Sequence, residues 1–387
     1  MRVSAGILIV VGVLLVLAAA APAPVRAESS VFSVRDVAVD KSAEAATSAR
    51  DAALRGGRNA AFNALLRRLT LKASWARLPK ASELNSEDYL ASFTITDERT
   101  STTRYLAKIT YDFAPDKIRA LLKSYGIAFG ETRAKPAVVL PVLLVQNRSL
   151  LWQPENAWAQ AWRGKSFDQA LAPMIVPVGD LSDINETAGL NPAAPDWTSL
   201  SALAAYYGAT RVLVAAVSVQ QAAAGTLLDV RLTEVTPSGA DEERLSYQGA
   251  AEAAAFNAAI DDIVQTIQER WKRETVVAAG SEGTLRAAVH FGSLAEWVAI
   301  RSRLEQSPSI RAVDVVGLTV DEALIDLRYL GTREQLGVKL AQSDLRLSVS
   351  PDGRYELTTA GGMATGAVGP AADAPQERGL PQAPQSQ

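Results

Sequence analysis

One imidazole, His290, and no thiol anywhere set the chemical ceiling of this chain. A Ser–His–Asp triad needs a histidine beside its nucleophile. Structural and catalytic zinc sites draw on several His or Cys ligands. His290 ends an alternating stretch in which Leu285, Ala287, Val289 and Phe291 point one way, so the ring reads as a surface or edge polar group. The chain contains no Gly-x-Ser-x-Gly elbow. It also lacks a phosphate-binding Gly-x-x-x-x-Gly-Lys-Ser/Thr loop and a Gly-x-Gly-x-x-Gly fingerprint. Carboxylate pairs do acid–base work without histidine. Asp180, Asp183 and Glu186 are closely spaced, and Asp241-Glu242-Glu243 follows Pro237-Ser238-Gly239. Both sets lie among turn-forming residues, and solvated loop charge is the plainer reading. No catalytic, metal-binding or cofactor-binding residue is expected.

Two features carry more content. Residues 50–80 hold eight basic side chains against Asp51 alone. Arg50, Arg55, Arg58, Arg67, Arg68 and Lys72 form a candidate docking surface on a helix. An acidic protein or an anionic membrane would suit it, at about 1 kcal/mol per basic residue near such lipid. A solvated face is the plainer alternative. The second feature is aromatic: Trp152, Trp158 and Trp162 fall close together. Pro154 reads as the start of a short helix on which Trp158 and Trp162, four apart, share a face. Exposed, they would offer a platform for sugar rings or a partner peptide; buried, they would be core.

The elements that must position these residues follow from periodicity. Arg2 precedes an apolar run from Val3 to Ala21, then Pro22, Pro24 and Val25-Arg26-Ala27 ahead of Glu28. That order predicts a secretory signal over 1–27, cleaved between Ala27 and Glu28; an uncleaved inner-membrane anchor is the alternative. An N-terminal α+β domain is expected over 28–134. Its long helix is capped by Ser42, reaches Trp75, and carries a small-residue stripe of Ala46, Ala49, Ala53, Gly57, Ala60 and Ala64. A central mixed α/β domain is expected over 135–279, built on the continuous apolar run Val138–Val145. It closes with a helix whose stripe is Phe256, Ile260, Ile263, Ile267 and Trp271. Residues 280–359 twice show strand, Gly, capping residue, helix and strand (Ser293 with Glu296, Thr332 with Gln335), which predicts a ferredoxin-like βαββαβ domain. From 360 to 387 the Ala, Gly, Pro and Gln composition predicts a disordered tail. The fold class is therefore α/β and α+β in three small domains. A formal net charge of −3 does not fit a nucleic-acid binder.

The stretch Leu151-Trp152-Gln153-Pro154-Glu155-Asn156-Ala157-Trp158-Ala159-Gln160-Ala161-Trp162 resembles a Trp-rich segment of a proteobacterial family of unknown function, domain-of-unknown-function family 2066. It departs at Ala157, where members carry Pro. Leu65-Leu66-Arg67-Arg68-Leu69-Thr70 and the Trp297–Leu304 helix resemble that family too, and the likeness spans most of residues 31–350. It implies an exported, uncharacterised envelope protein and brings no catalytic residues. Separately, Tyr207-Gly208-Ala209 leading into Val212–Val219 looks like the helix-to-strand step of periplasmic α/β domains in TolB-like and lipoprotein-activator proteins, which is fold analogy alone. The expectation is a non-catalytic periplasmic interaction or assembly protein. The alternatives are a glycan-binding module using Trp152, Trp158 and Trp162, and a carboxylate-based hydrolase.

Overall fold

The computed structural model describes residues 31–146, 148–223, 225–276 and 282–360. The expected signal segment over 1–27 with its Ala27–Glu28 junction, and the expected tail from residue 361, lie outside the described residues.

The first sheet is antiparallel, in the order β1 (Ser33–Ser42), β3 (Arg104–Phe113), β2 (Leu90–Thr100). Helix α1 (Ala46–Leu69) packs on it, and α2 (Pro115–Ser124) follows β3 with proline at its first position. Ser42 does not cap α1, because it is still paired with Arg104 in β1. The helix starts after Ala45 and ends at Leu69, and the stretch to Trp75 is a separate short 3₁₀ turn. The buried stripe runs Ala49, Ala53, Gly57, Ala61 and Leu65, with Phe62, Leu66 and Leu69 beside it; Ala60 and Ala64 face solvent. Steps of four overshoot a turn by about 40°, so the stripe winds around the helix and tracks the twisted sheet beneath. Small residues are needed there: a Cβ on Gly57 would sit 2.7 Å from both Tyr111 Oη and Val39 Cγ1.

The central sheet runs β5 (Arg148–Leu150), β4 (Ala137–Val145), β7 (Arg211–Ala222), β8 (Gly225–Thr236), β9 (Gly239–Gly249), with the two-residue β6 (Met174–Ile175) also paired to β4. Strands β4 and β7 are parallel and covered on both faces, which explains their unbroken apolar runs. Val139, Leu143 and Ala215 meet α3 (Ala157–Arg163) and α6 (Glu252–Thr275) on one side. Val138, Leu140, Val142 and Val214 meet α5 (Trp197–Tyr206) on the other. Between β6 and α5 stands α4 (Leu181–Glu186), where the sequence reads as loop. Asp241-Glu242-Glu243 lies on strand β9 rather than in a turn, exposed along the edge of the sheet.

The third sheet is built from β10 (Glu282–His290), β11 (Ile310–Leu318), β12 (Glu322–Leu330), β13 (Leu345–Val349) and β14 (Tyr355–Thr359) in the order β11-β12-β10-β14-β13. Helices α7 (Leu294–Gln306) and α8 (Arg333–Gln342) cover one face through Trp297, Ile300, Leu304, Leu336 and Leu340. The expected βαββαβ order is present, extended by one hairpin. The strand beside β10 is β14, running parallel to it, and β13 is displaced to the edge. The Pro351-Asp352-Gly353 turn, with Gly353 at φ +83, makes that return possible. Thr332 and Gln335 form a reciprocal capping box. At α7 Ser293 accepts from Glu296 N, while the Glu296 carboxylate takes Gly292 N instead.

Side chains tie the three sheets together. Lys272 of α6 donates to Arg67 O and Thr70 O, Trp271 Nε1 donates to Thr132 O, and Gln335 Nε2 donates to Val276 O.

Candidate functional site

The basic helix is not one face. Arg58 and Arg67 are nine residues apart, about 180° around the helix axis, so they cannot serve one surface. Half of the set is already engaged. Arg50 pairs with Glu98 at 3.7 Å, Arg58 pairs with Glu87 at 3.2 Å and donates to Ser86, and Arg68 donates to Val31 O, Ser33 O and Gln169 Oε1. Burial, with Arg133 and Arg35 nearby, pushes the Arg68 guanidinium down to about 10. It is a structural link between the first and central sheets. Arg55, Arg67 and Lys72 remain exposed, with the Arg67 guanidinium 5.3 Å from the Trp75 ring centre.

For the tryptophans the core reading holds for Trp158 and Trp162, and the exposed platform does not. Trp158 and Trp162 are fully buried, so neither offers a ring to a sugar. They meet edge to face at 5.7 Å, Phe256 lies 5.1 Å from Trp158, and Trp158 Nε1 donates to Ala215 O at 2.9 Å. Trp152 is half-buried and donates to Thr187 Oγ1. Its ring lies where a Cβ on Gly179 would fall, 2.7 Å from Trp152 Cε3.

The carboxylates correct an expectation. Asp183 is wholly buried rather than solvated. One oxygen accepts from Tyr207 Oη at 2.8 Å, and the other accepts from Gly179 N at 2.9 Å and Asp180 N at 3.3 Å. Asp180 caps α4 and completes a capping box with Asp183. Burial and the neighbouring Asp183 carboxylate push the Tyr207 phenol well above its ordinary value. With three donors on its two oxygens, Asp183 holds this loop in place. Glu186 is exposed and stands apart from this knot. His290 lies on the open face of the third sheet, 3.8 Å from Glu322 and 4.0 Å from Glu356.

Two arrangements emerge that the sequence reading did not single out. The first is a groove between α7 and β11. Val315 pairs with Ile325 and Leu318 with Ala323, both core positions, so Val315 and Leu318 face the helix layer. They are nevertheless 41% and 54% exposed. On α7, Glu296 lies roughly 70° to one side of the Trp297–Ile300–Leu304 core line. Its carboxylate accepts from Thr359 on β14. Leu294 and Val298 lie roughly 90–130° to the other side, toward β11, and both are exposed. The unpaired edge of β11 is thus flanked by apolar side chains from strand and helix. Two other sheet edges carry runs of charge, Asp97, Glu98 and Arg99 on β2 and Asp241 through Arg244 on β9.

The second is a cavity of about 140 Å³ where α2, the linker at 129–132, the end of α6 and the third sheet meet. Arg119, Lys123, Arg311 and Lys339 line it, with Glu131 and Glu282. Lys339 is 5% exposed, and its ammonium has one long hydrogen bond, 3.4 Å to Leu330 O on the cavity wall. Burial pushes this lysine down to about 8, and only Glu131 pulls the other way. The position has a sequence signature: Leu336, Lys339 and Leu340 share one helix face, so a lysine stands where the period calls for an apolar residue. The shift carries a stability consequence. Between about pH 8 and the ordinary lysine range the folded chain has released this proton while the unfolded chain still holds it. Stability should therefore rise with pH across that window. Urea midpoints measured from pH 7 to 10 should climb less in Lys339→Met than in the parent; parallel curves would refute the assignment.

The described residues thus define a multi-sheet α+β protein with a helix–strand groove and a cation-lined junction. Among them no helix is long and apolar enough to cross a membrane. Residues 34–131, which hold the first sheet with α1 and α2, match a family model described as a domain of unknown function (DUF8605). No curated protein matches the chain.

Proposed function

We propose that this chain is an exported, non-catalytic assembly protein of the cell envelope, and that it docks a partner protein by strand addition to β11. The export half rests on the ordered Arg2, Val3–Ala21 and Val25-Arg26-Ala27 signal, and on the resemblance to the proteobacterial family 2066. The docking half rests on one observation: the helix-facing side of the edge strand β11 exposes Val315 and Leu318 beside the uncovered flank of α7, while its charged Asp314 pairs with Arg328 on the open face. Natural sheets blunt exposed edges with charge, and an apolar edge beside a groove is the geometry that receives an extended peptide. The four residues Ala312–Val315 pair in unbroken register with Arg328–Ile325, leaving a regular stretch for a new strand. The occupant is an extended segment with apolar residues at alternate positions, whose side chains enter between Val315, Leu318, Leu294 and Val298.

A photo-crosslinking residue placed at Val316 in the producing cells, and another at Asp241 on the β9 edge, test both halves. We expect a discrete adduct from position 316 in the periplasmic fraction, none from 241, and loss of the adduct on Leu318→Lys. An adduct of twice the chain mass would make the partner a second copy. Failure to crosslink at 316, or equal crosslinking at 241, would overturn the docking reading. A chain retained in the cytoplasm with residues 1–27 intact would overturn export.

A further inference from the structure

The cavity at the three-way junction lies at the Arg311 end of β11, away from Val315 and Leu318, and its charge is unbalanced. Glu131 is already held by Arg119, which reaches its two oxygens at 2.8 to 3.3 Å and also pairs with Asp116. Lys123 and Arg311 make no ion pair among the described residues, and Lys339 is buried with one long contact. Along the lining, the four cations Arg119, Lys123, Arg311 and Lys339 face two carboxylates, Glu131 and Glu282, leaving a surplus of two positive charges. Structural lysines look different in this protein. Lys272, equally buried, has three oxygen partners at 2.9 to 3.0 Å. A buried ammonium left nearly unpartnered in a cleft is costly unless something charged completes it.

We propose that this cavity binds a doubly charged phosphate group, either inorganic phosphate or a small phosphomonoester, with Lys339 at its wall and Arg311 and Lys123 around it. The volume, about 140 Å³, admits a phosphate and little more, and a dianion balances the surplus charge. Arg311 offers the forked, permanently charged donor set suited to phosphate oxygens. Each cation comes from a different element: Lys123 from α2, Arg311 from β11 and Lys339 from α8. The bound anion would therefore join the first sheet's layer to the third.

Titration calorimetry of residues 28–387 in phosphate-free buffer tests this, with inorganic phosphate, glycerol 1-phosphate and acetate as probes. We expect one phosphate site per chain, weaker binding of acetate, and at least tenfold loss of phosphate affinity in Lys339→Met and in Arg311→Gln. Arg286→Gln, on the open sheet face where Arg286 pairs with Asp326, should leave binding unchanged. Arg311 is an exposed rim residue, so its variant keeps the test sound if Lys339→Met fails to fold. Binding of the ester as well as the free anion would identify an esterified source; free phosphate alone would identify the inorganic ion. No binding at millimolar phosphate, or equal binding in both cavity variants, would overturn the proposal.

Discussion

Trp158→Ala is expected to destabilise the protein by about 3–5 kcal/mol, the range for removing a large aromatic from a closed core. The indole is completely enclosed, packs edge to face on Trp162 and against Phe256, and donates to the Ala215 carbonyl of the central strand β7. Its removal opens a void between α3, α6 and the sheet, and strips a buried carbonyl of a donor. Trp158→Phe should cost less, since it keeps most of the volume and loses the hydrogen bond. Urea denaturation with two-state analysis measures both. A loss under about 1 kcal/mol for the alanine variant would mean the ring is not core, and would reopen the glycan platform that Trp158 and Trp162 would form if exposed.

How far the sequence is legible depends on what each signal measures. The continuous apolar run Val138–Val145 marks β4 as buried, and a strict alternation marks β10, because solvent is a yes-or-no partner for each side chain. The two capping signals beginning at Ser293 and Thr332 located α7 and α8 to the residue, because caps are local chemistry. The small-residue stripe of α1 was right in kind and wrong in its second half. A period of four drifts around a helix, and only the sheet's twist decides that Ala61 and not Ala60 is inside. The place of β14 beside β10 is not readable, since strand order is a property of pairing at a distance. The tryptophan cluster looks the same in sequence whether it faces sugar or core. The carboxylates failed for a related reason: Asp183 needs Tyr207, 24 positions on, before its burial makes sense. The junction cavity was nearly legible. Lys339 breaks an apolar period, but its companions Arg119, Lys123 and Arg311 come from other elements and were invisible as a group.

Lys272→Met should cost a comparable amount, about 3–5 kcal/mol, for a different reason. The last carbonyls of a helix have no partner within it and sit at the negative end of its dipole. Here α6 supplies what α1 lacks: the Lys272 ammonium donates to Arg67 O at 3.0 Å and to Thr70 O at 2.9 Å. Its third contact is Glu269 Oε1 at 3.0 Å, while Glu269 Oε2 accepts from Lys72 N at the start of the 3₁₀ turn. Burial lowers the lysine's affinity for its proton, and Glu269 opposes that. Methionine would leave two carbonyls without this donor and Glu269 without its cation, at the seam between the first and central sheets. Adding Glu269→Gln to Lys272→Met should recover part of the loss, because the carboxylate would no longer be stranded; a double-mutant cycle reads that coupling directly. Additive costs in the cycle, or a single-variant loss below about 1 kcal/mol, would show that the seam is held by apolar packing alone. The comparison with Lys339 then becomes a physical sorting rule within one molecule. A buried lysine whose removal unfolds a seam is structural. One whose removal chiefly abolishes an anion site, and flattens the rise of stability above about pH 8, is there for its ligand.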